Sequence, residues 1–352
     1  MRLVTIDDLP RSRAGLIIGN EVLCAAHGFA FFGMLPWKPA NVLEMLEAGE
    51  SGLIGLRELE SRTKEALSDE LIRLRQLRGL TPLASTKLRA PIERPRILLS
   101  GGAQFPSHQE EMTRLISGDV PRPAQPGGTD RGYATRRRPS AHTKNAGSII
   151  GPDDPIVLPS RAPGMVDWEA EFAVVFGKPC FNASVEEAAD AIVGYTFIND
   201  LGPRDPAMSS FDAVKAGKPM DFAQIGLAKS MPTMCPLGPC VATKEDVPDP
   251  DNLRFWLKVN GVLMQDASTS EMVFTVAQLA AEMSQWYGFE AGDVLSMGSP
   301  AGVGLALKPP RFLQDGDVVE IGAEGIGVLR NPVKSVSGPS EPLWTVPQSS
   351  VA

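Results

Sequence analysis

The chain has 352 residues, of which 43% are hydrophobic and 22% charged, and its formal net charge is −8. This composition is typical of globular proteins, and the length allows either two domains or one large domain with a small one beside it. The excess of acids argues against a nucleic acid partner, because most of the surface would repel phosphates, and instead favours a small-molecule partner.

The first 95 residues are predicted to form a small leading domain. Its opening strand, MRLVTI, precedes a Leu-rich stretch, RTKEALSDELIRLRQLRGL, whose apolar residues recur at helical spacing as far as Gly79. The most apolar early stretch is interrupted by Asn20, Glu21 and His27, and no basic leader precedes an apolar core. The sequence therefore predicts a cytoplasmic protein that does not span a membrane.

The main domain is predicted to run from residue 96 to residue 335, and it contains one long irregular segment. Prolines bracket the join, and an apolar strand follows from Ile97 to Leu99. Residues 113–147 are rich in Pro, Gly and Arg and lack periodicity, so we expect a long loop or lid there. Residues 336–352 are expected to form a loosely ordered tail.

Two glutamates occur in the stretch VDWEAEF, inside a run that otherwise indicates a buried strand. Side chains alternate between the two faces of a strand, so Glu169 and Glu171 are predicted to project together. If that face is solvated, the two acids need no further explanation. If it is enclosed, the repulsion between them requires a cation or a retained proton.

Local signals define the elements that follow this strand. A capping box at Ser184 opens a helix that is predicted to end at Gly194. The strand YTFIND comes next, and further on the pair Asn260-Gly261 between two apolar runs predicts a β-hairpin. A helix capped by Thr275 and a series of strands and turns punctuated by glycine complete the domain.

The four cysteines are predicted to be reduced thiols. They occur at positions 24, 180, 235 and 240 without a CxxC pair, and a chain of this length does not need disulfides for stability. Cys235 and Cys240 flank PLGP, but a structural zinc site requires a second pair of ligands.

A third acid, Asp200, ends the strand YTFIND where the chain enters a loop. Taken alone, such an aspartate is as often a turn or capping residue as a functional one. Together with Glu169 and Glu171 it offers carboxylates from two strands, which suits a hard divalent cation. The sequence thus predicts a site for Mg²⁺ or Mn²⁺, with coordination positions left for water and an oxygen substrate.

Several stretches resemble, in the same order, the fumarylacetoacetate hydrolase family. VDWEAEFAVVFGK is similar to the family strand with the E-x-E metal motif, and AIVGYTFINDLGPRD to the segment with the third metal acid. LAKS is similar to the family's lysine segment, VNGVLMQDASTSEMVFTVAQLAAEMS to its hairpin and helix, and GDVLSMGSPAGVG to its G-T-P-x-G-V-G loop. The resemblance covers about residues 1–335 and implies that Glu169, Glu171 and Asp200 are metal ligands.

The fold that this resemblance implies is of the α+β class and rich in strands. It is a mixed β-roll around the metal, with the small N-terminal α/β domain beside it. Family members usually form homodimers, so a homodimer is implied here as well.

The stretch GAQFPSHQEEM is similar to the family's N-Y-x-x-H-x-x-E stretch, which implies that His108 and Glu111 are catalytic. In isolation, a histidine three residues before a glutamate is more often a surface pair. On a helical turn the same spacing brings the two side chains together, so the carboxylate can orient the imidazole and support its positive form.

The implied activity is hydrolysis of a C–C bond in a 1,3-diketone acid, such as an acylpyruvate or a fumarylacetoacetate-like substrate. His108, held by Glu111, would deprotonate a water that adds to the distal carbonyl. Cleavage would then expel an enolate that the metal stabilises, and Lys229 would neutralise the developing negative charge.

Further residues are candidates for substrate binding. Arg204 and Gln265 are suited to a carboxylate or carbonyl, although Arg204 is equally suited to a structural ion pair with Asp205. Ser299 and Thr269 are expected in loops that bound the pocket, where small residues let backbone amides approach the ligand. A purely structural glycine turn is the alternative at that loop.

Departures from the family pattern cluster around the substrate rather than the metal. Gln104 and Phe105 replace the usual Asn and Tyr, and Ser299 replaces Thr. His142 stands where an aromatic residue is usual, two positions before Lys144, which matches the usual lysine and is a further candidate for pocket contact. These differences imply a larger or unusual diketone, or a different reaction that uses the same enolate chemistry.

Two other functions stay open beside hydrolysis. The family contains decarboxylases, isomerases and hydratases, which would act on a 2-oxo acid with the same metal. A catalytically silent metal-binding scaffold is the third possibility. The presence of both His108 and Glu111 favours hydrolysis, because a pair that activates water is dispensable for simple protonation of an enolate.

Overall fold

This computed structural model describes residues 1–8, 11–102, 104–117, 140–160, 164–206, 208–209 and 222–335. Its strands are β1 Arg2–Asp8, β2 Arg11–Ile18, β3 Glu21–Cys24, β4 Leu80–Pro82, β5 Leu88–Arg89, β6 Leu98–Gly102, β7 Ser140–Thr143, β8 Ile149–Ile150, β9 Ile156–Leu158, β10 Val166–Asp167, β11 Ala170–Phe176, β12 Ile192–Asn199, β13 Gly202–Pro203, β14 Cys235–Thr243, β15 Arg254–Val259, β16 Val262–Ser268, β17 Val294–Ser296, β18 Val318–Ala323 and β19 Gly327–Ser335. Its helices are α1 Ala25–Phe31, α2 Val42–Glu47, α3 Gly49–Glu65, α4 Ser68–Gln76, α5 Pro106–Ser117, α6 Val185–Ala191, α7 Phe222–Lys229 and α8 Val276–Ser284.

The strands form a large and a smaller mixed sheet, which confirms the predicted α+β fold rich in strands. The large sheet has the order β4-β3-β2-β1-β14-β12-β11-β17-β6-β7, and its β17–β6 pair is parallel. The smaller sheet has the order β16-β15-β18-β19-β9. A two-stranded pair, β10 with β13, lies next to the ends of β11 and β12.

Strand β11 lies between two hydrophobic cores, which explains its uninterrupted apolar sequence. Every residue of this strand is buried, as is usual for a sheet that is covered on both faces. Phe172 and Phe176 belong to the core shared with the smaller sheet, whereas Ala173 and Val175 belong to the core under helices α1, α2 and α3. The side chains thus alternate with period two, as the sequence predicts.

The leading segment continues the large sheet, because β1 pairs with β14 of the main part. The helical stretch predicted as far as Gly79 is interrupted, since α3 and α4 are separate helices. Ala66 and Leu67 between them are extended, and the Glu70 side chain accepts the Leu67 backbone N–H at 2.9 Å, which restarts the helix. The boundary near residue 95 stays a prediction.

Three local predictions are confirmed and one boundary is wrong. The capping box at Ser184 is present, and Thr275 caps α8. Asn260 and Gly261 have φ values of 52° and 75°, the left-handed geometry of a tight hairpin turn. Helix α6 ends at Ala191 rather than at residue 194, because the chain enters β12 directly.

The long loop predicted for residues 113–147 is shorter than expected at both ends. Helix α5 continues to Ser117, and β7 begins at Ser140. Residues 118–139 and the tail 336–352 lie outside the described residues. None of the helices that the structure describes combines the length and apolar character that a membrane crossing requires. All four cysteines are buried and unpaired.

Candidate metal centre

Three buried acids converge where β11 and β12 meet at one end of their ladder. Glu171 lies in β11, opposite Ile198 of β12, and Asp200 directly follows β12. Glu169 precedes β11 rather than lying inside it, but its carbonyl accepts the Asp200 N–H at 2.9 Å, so pairing continues past the strand ends. One carboxylate oxygen from each acid lies within 4.8 Å of the other two.

Glu171 has hydroxyl groups rather than cations as its hydrogen-bond partners. Ser100 donates to its Oε2 at 2.6 Å, and Ser296 donates to the same oxygen. Burial raises the pKa of Glu171 well above its usual value, and the charges of Asp200 and Glu169 raise it further. A bound divalent cation would relieve both effects, so the surroundings of this carboxyl fit a metal ligand.

Glu169 and Asp200, in contrast, each contact cationic side chains. Arg204 Nη2 lies 2.6 Å from Glu169 Oε1, and Lys229 Nζ lies 2.7 Å from Glu169 Oε2. Lys229 Nζ is also 3.1 Å from Asp200 Oδ2 and donates to the Asp200 carbonyl at 2.5 Å. The predicted catalytic lysine therefore bridges two of the three candidate ligands.

These cations explain why the two acids stay ionised although they are buried. Burial alone would raise the pKa of Glu169, but Lys229 and then Arg204 lower it to about 2. Burial would likewise raise the pKa of Asp200, but Lys144 and Lys229 hold it well below its usual value. Two carboxylates that keep their charge beside a third without a cation form an oxygen donor set suited to Mg²⁺ or Mn²⁺.

Helix α5 carries the predicted His108–Glu111 pair. His108 Nδ1 lies 3.0 Å from Glu111 Oε2, one turn away on the same helix. The other oxygen, Glu111 Oε1, accepts the Gly302 N–H at 2.9 Å, which fixes the carboxylate against the glycine loop, residues 298–304. His108 is also near enough to the acids to contribute to the low pKa of Glu169. Because Nδ1 faces Glu111, Nε2 is the nitrogen that can exchange a proton with a substrate.

Lys144, a predicted substrate contact, is buried beneath the acids. Its Nζ lies 2.5 Å from Asp200 Oδ1, 2.6 Å from the Lys229 carbonyl oxygen and 3.1 Å from that of Met234. An ammonium group has three N–H donors, and these three acceptors use all of them. The structure therefore places Lys144 as a support for Asp200 rather than as a group facing a substrate.

Three other predicted substrate contacts also have partners within the protein. Gln265 Oε1 accepts the Ala170 N–H at 2.9 Å, and its Nε2 donates to Ser299 Oγ at 2.9 Å and to the next carbonyl of that loop at 2.8 Å. Thr269 Oγ1 accepts the Leu253 N–H at 2.8 Å. Gln265 and Ser299 thus connect the glycine loop to β11, next to the acids. Thr269 instead holds the backbone at Leu253, one residue before β15 begins.

Asp167, which the sequence analysis missed, organises the surroundings of Arg204. Its Oδ2 accepts Arg204 Nε at 2.8 Å and the Leu305 N–H at 3.0 Å, and its Oδ1 accepts the Gly304 N–H at 2.7 Å. Arg204 is therefore paired with Asp167 and not with Asp205, as one alternative had it. The sequence did contain a signal for Asp167. It precedes Glu169 by two residues, and side chains two residues apart in an extended chain lie on the same face.

Replacing Glu171 with glutamine is expected to stabilise the metal-free protein at high pH. Glu171 holds its proton to a higher pH in the folded chain than in the unfolded one, so the folded state binds more protons above pH 4.5. The free energy of unfolding of the wild type therefore falls as the pH rises through the folded-state pKa of Glu171. Glu171→Gln has no proton to lose at this position, so it does not show this fall. Thermal melts in chelator at pH 5 and pH 8 should show a smaller fall for Glu171→Gln, by a few °C or about 1 kcal/mol. The exposed Glu186→Gln is the control, and equal falls in all three proteins would contradict the assignment.

Replacing Gly302 with alanine is expected to destabilise the protein by about 3 kcal/mol or more, because two effects add. The residue has φ of +104°, and an added Cβ would lie 2.1 Å from the Met264 carbonyl oxygen. Gly316 is the matched control, since its φ is +85° but no atom lies within 4 Å of an added Cβ. Denaturant unfolding should show a clearly larger loss at 302 than at 316. Equal losses would mean that backbone strain alone accounts for the effect.

Comparison with known proteins gives a family match and extensive sequence relatives, among them two oxaloacetate tautomerases. The model of a family described as Fumarylacetoacetate (FAA) hydrolase C-terminal matches residues 104–334. The mitochondrial oxaloacetate tautomerase of Xenopus laevis is 35% identical over 338 residues, which cover 95% of this chain and 90% of the relative. The mitochondrial oxaloacetate tautomerase FAHD2A of Homo sapiens is 35% identical over 298 residues, which cover 85% and 81%.

A solved structure confirms the fold over nearly the whole chain. The fumarylacetoacetate hydrolase of the psychrophile Exiguobacterium antarcticum has a TM-score of 0.65 and is 26% identical, and the match covers 96% of this chain and 100% of that one.

The relatives also correct the predicted location. The relatives from Xenopus laevis and Homo sapiens are both named as mitochondrial proteins, so the prediction of a cytoplasmic location is wrong. Composition failed here because a globular acidic chain with unpaired cysteines is compatible with either compartment.

Proposed function

Because the chain belongs to the fumarylacetoacetate hydrolase family, we propose that it is a metal-dependent enzyme that interconverts the keto and enol forms of oxaloacetate. The observation that carries this proposal is the position of His108, an imidazole oriented by Glu111 and near enough to the buried acid Glu169 to contribute to its low pKa. A base beside a cation site is what enolisation of a 2-oxo acid requires, since the carbon next to the ketone must lose a proton. The names of the relatives support the choice of substrate.

The acids Glu169, Glu171 and Asp200 would hold the cation, for which we propose Mg²⁺ or Mn²⁺. When bound, this ion supplies a Lewis acid that draws charge from the ketone oxygen and makes the neighbouring carbon more acidic. The three acids are fixed by backbone pairing and by serine and lysine partners, so they need little rearrangement on binding.

His108 and Glu111 would perform the proton transfer. Nε2 of His108 takes a proton from the carbon next to the ketone, and the proton returns to oxygen in the enol or to carbon in the keto form. Glu111 keeps the second ring nitrogen protonated and stabilises the imidazolium that forms during the transfer. The amide of Gly302 holds Glu111 in this position.

Lys229 and Arg204 would provide positive charge beside the reacting atoms. Both contact Glu169, and Lys229 also reaches Asp200. As the substrate gains negative charge at oxygen, the ammonium of Lys229 stabilises it from a site that is already desolvated. Arg204 is buried and held by Asp167, so its role is to keep Glu169 ionised and oriented.

A second candidate function is hydrolysis of a C–C bond in a 1,3-diketone acid. The observation that favours it is the double anchoring of Glu111, which orients His108 firmly enough to activate a water. The solved neighbour from Exiguobacterium antarcticum is named as a hydrolase. Decarboxylation of oxaloacetate would need the same cation without a water.

One assay separates these functions and the silent scaffold. Enol oxaloacetate absorbs in the ultraviolet, so its decay is followed with the protein in Mg²⁺, in chelator, and without protein, and the products are then identified. Metal-dependent acceleration with oxaloacetate recovered as product supports tautomerisation. Loss of carbon dioxide would indicate a decarboxylase, and cleavage of acylpyruvates with no effect on oxaloacetate would indicate a hydrolase. If none of these compounds reacts faster with the protein, the catalytically silent metal-binding scaffold is the function that remains.

The implied homodimer stays a proposal, which light scattering tests directly.

A further inference from the structure

His142 lies beside the acid triad, which consists of Glu169, Glu171 and Asp200. It belongs to strand β7, which carries none of the residues proposed to act in tautomerisation. Strand β7 pairs with β6 at the edge of the large sheet, and His142 is opposite Ser100 in this register. Ser100 donates to Glu171 and, at 3.2 Å, to Asp200. The imidazole of His142 thus lies next to a hydroxyl that already contacts two of the acids.

One ring nitrogen of His142 is buried without a hydrogen bond. Its Nε2 is 3.5 Å from Asp200 Oδ2, which is too long for a well-formed hydrogen bond but close enough for His142, after Lys144 and Lys229, to help keep the pKa of Asp200 low. Among the residues described, this nitrogen has no other partner. A buried polar atom without a partner is costly, and such atoms in folded proteins call for an explanation. The side chain as a whole is 38% exposed, so the ring borders both the acids and the open side of the site.

His108 and His142 belong to different elements and approach different acids of the triad. His108, on α5, is close enough to influence Glu169, whereas His142, on β7, approaches Asp200. If the reacting carbon of a bound 2-oxo acid lies toward His108 and Glu169, its carboxylate can extend toward Asp200 and His142. Lys144 cannot supply a hydrogen bond to the substrate at that side, because it uses all three of its N–H groups within the protein.

We propose that His142 is a substrate-binding residue whose Nε2–H donates a hydrogen bond to the carboxylate next to the ketone of a 2-oxo acid. This inference rests on the proposed function and names the side chain that recognises that substrate class. A neutral imidazole carries one N–H, so the contact requires no change of charge on the ring. A hydrogen bond to an anion also gains strength from the low dielectric of a partly buried site.

A role for His142 as a fourth metal ligand fits the geometry less well. The three carboxylates lie within 4.8 Å of one another, whereas the His142 nitrogen comes within 4 Å of one acid only, Asp200, among the described residues. Binding a substrate and binding a metal predict different behaviour when this residue is changed, so the two roles can be separated.

The test is calorimetric titration of oxalate into the Mg²⁺-loaded protein. Oxalate presents the adjacent oxygens of a 2-oxo acid but cannot tautomerise, so the result does not depend on turnover. Three variants are compared with the wild type: His142→Phe, which removes the donor, His142→Gln, which keeps an N–H donor, and His27→Phe, the same change far away on α1. Affinity for Mg²⁺ is measured separately for each protein.

We expect His142→Phe to weaken oxalate binding about 10-fold while Mg²⁺ affinity stays within about twofold of wild type. His142→Gln should recover most of the oxalate affinity, and His27→Phe should match the wild type. Unchanged oxalate binding in His142→Phe would overturn the inference, as would a parallel loss of Mg²⁺ and oxalate affinity, which would make His142 a metal ligand or a support for Asp200. Absence of oxalate binding to the Mg²⁺-loaded wild type would overturn it as well. Failure of oxaloacetate turnover alone would instead count against the tautomerase proposal.

Discussion

Replacing Asp200 with asparagine is expected to lower kcat/KM for oxaloacetate by about 10³-fold or more. The substitution keeps the shape of the side chain but removes one of the three charges that would hold the cation. It also leaves Lys144 and Lys229 facing a neutral amide, so positive charge accumulates where the cation must bind. Titration calorimetry with Mg²⁺ should show that binding is lost or strongly weakened.

The control for this change is Asp205→Asn, five residues further along the chain. Asp205 is exposed and outside the cluster of buried acids, so the variant should keep both Mg²⁺ affinity and turnover within about twofold. Circular dichroism and a thermal melt should show that Asp200→Asn remains folded. If the folded variant still binds Mg²⁺ and turns over within about tenfold of wild type, Asp200 is not a metal ligand.

Replacing His108 with asparagine is expected to lower kcat by about 10²- to 10⁴-fold and to leave Mg²⁺ affinity unchanged. The variant loses the one nitrogen that we propose exchanges a proton with the substrate, while the acids keep their partners. Glu111→Gln should show a smaller loss, about 10- to 100-fold, because the imidazole is still present but is less well oriented and its positive form is less stabilised.

Added imidazole provides a chemical control for the His108 prediction. If His108 acts as an acid or base, free imidazole should restore part of the activity of His108→Asn, and it should do nothing for Asp200→Asn. His27→Asn, on α1, should behave as wild type. Full activity of His108→Asn with normal metal dependence would remove this residue from the mechanism and would require another base.

Much of the fold was predictable because it depends on signals between neighbours in sequence. The capping boxes, the Asn260-Gly261 turn and the buried strand β11 all follow from side chains within a few residues of one another. The break between α3 and α4 was missed because the apolar spacing continues through it. Only the extended backbone at Ala66 and Leu67 interrupts the helix.

The candidate site was predictable in its acids but not in what surrounds them. Glu169 and Glu171 are close in sequence, and Asp200 directly follows β12, the strand paired with β11, so a local pattern sufficed. Ser100 and Ser296 could not be found this way, because they come from β6 and β17, and serine occurs throughout any chain. Their role appears only when three separate strands are brought side by side.

The expected substrate contacts illustrate a related difficulty. The structure brings Lys144 and Gln265 near the acids, but the sequence does not say which acceptors their N–H groups will find. In the folded chain those groups are used by Asp200, backbone carbonyls and Ser299. His142, which departs from the usual aromatic residue, has a buried ring nitrogen without a hydrogen bond, next to Asp200.

The most direct test of the proposed tautomerase activity is deuterium incorporation at the carbon next to the ketone of oxaloacetate, followed by NMR in D₂O. Rates are compared for protein with Mg²⁺, protein with chelator, His108→Asn with Mg²⁺, and Mg²⁺ alone. We predict exchange faster than the Mg²⁺ background only when the metal and His108 are both present. If exchange with the metal-loaded wild type is no faster than with Mg²⁺ alone, the protein is not a tautomerase of oxaloacetate. If exchange is equally fast with His108→Asn, His108 is not the base.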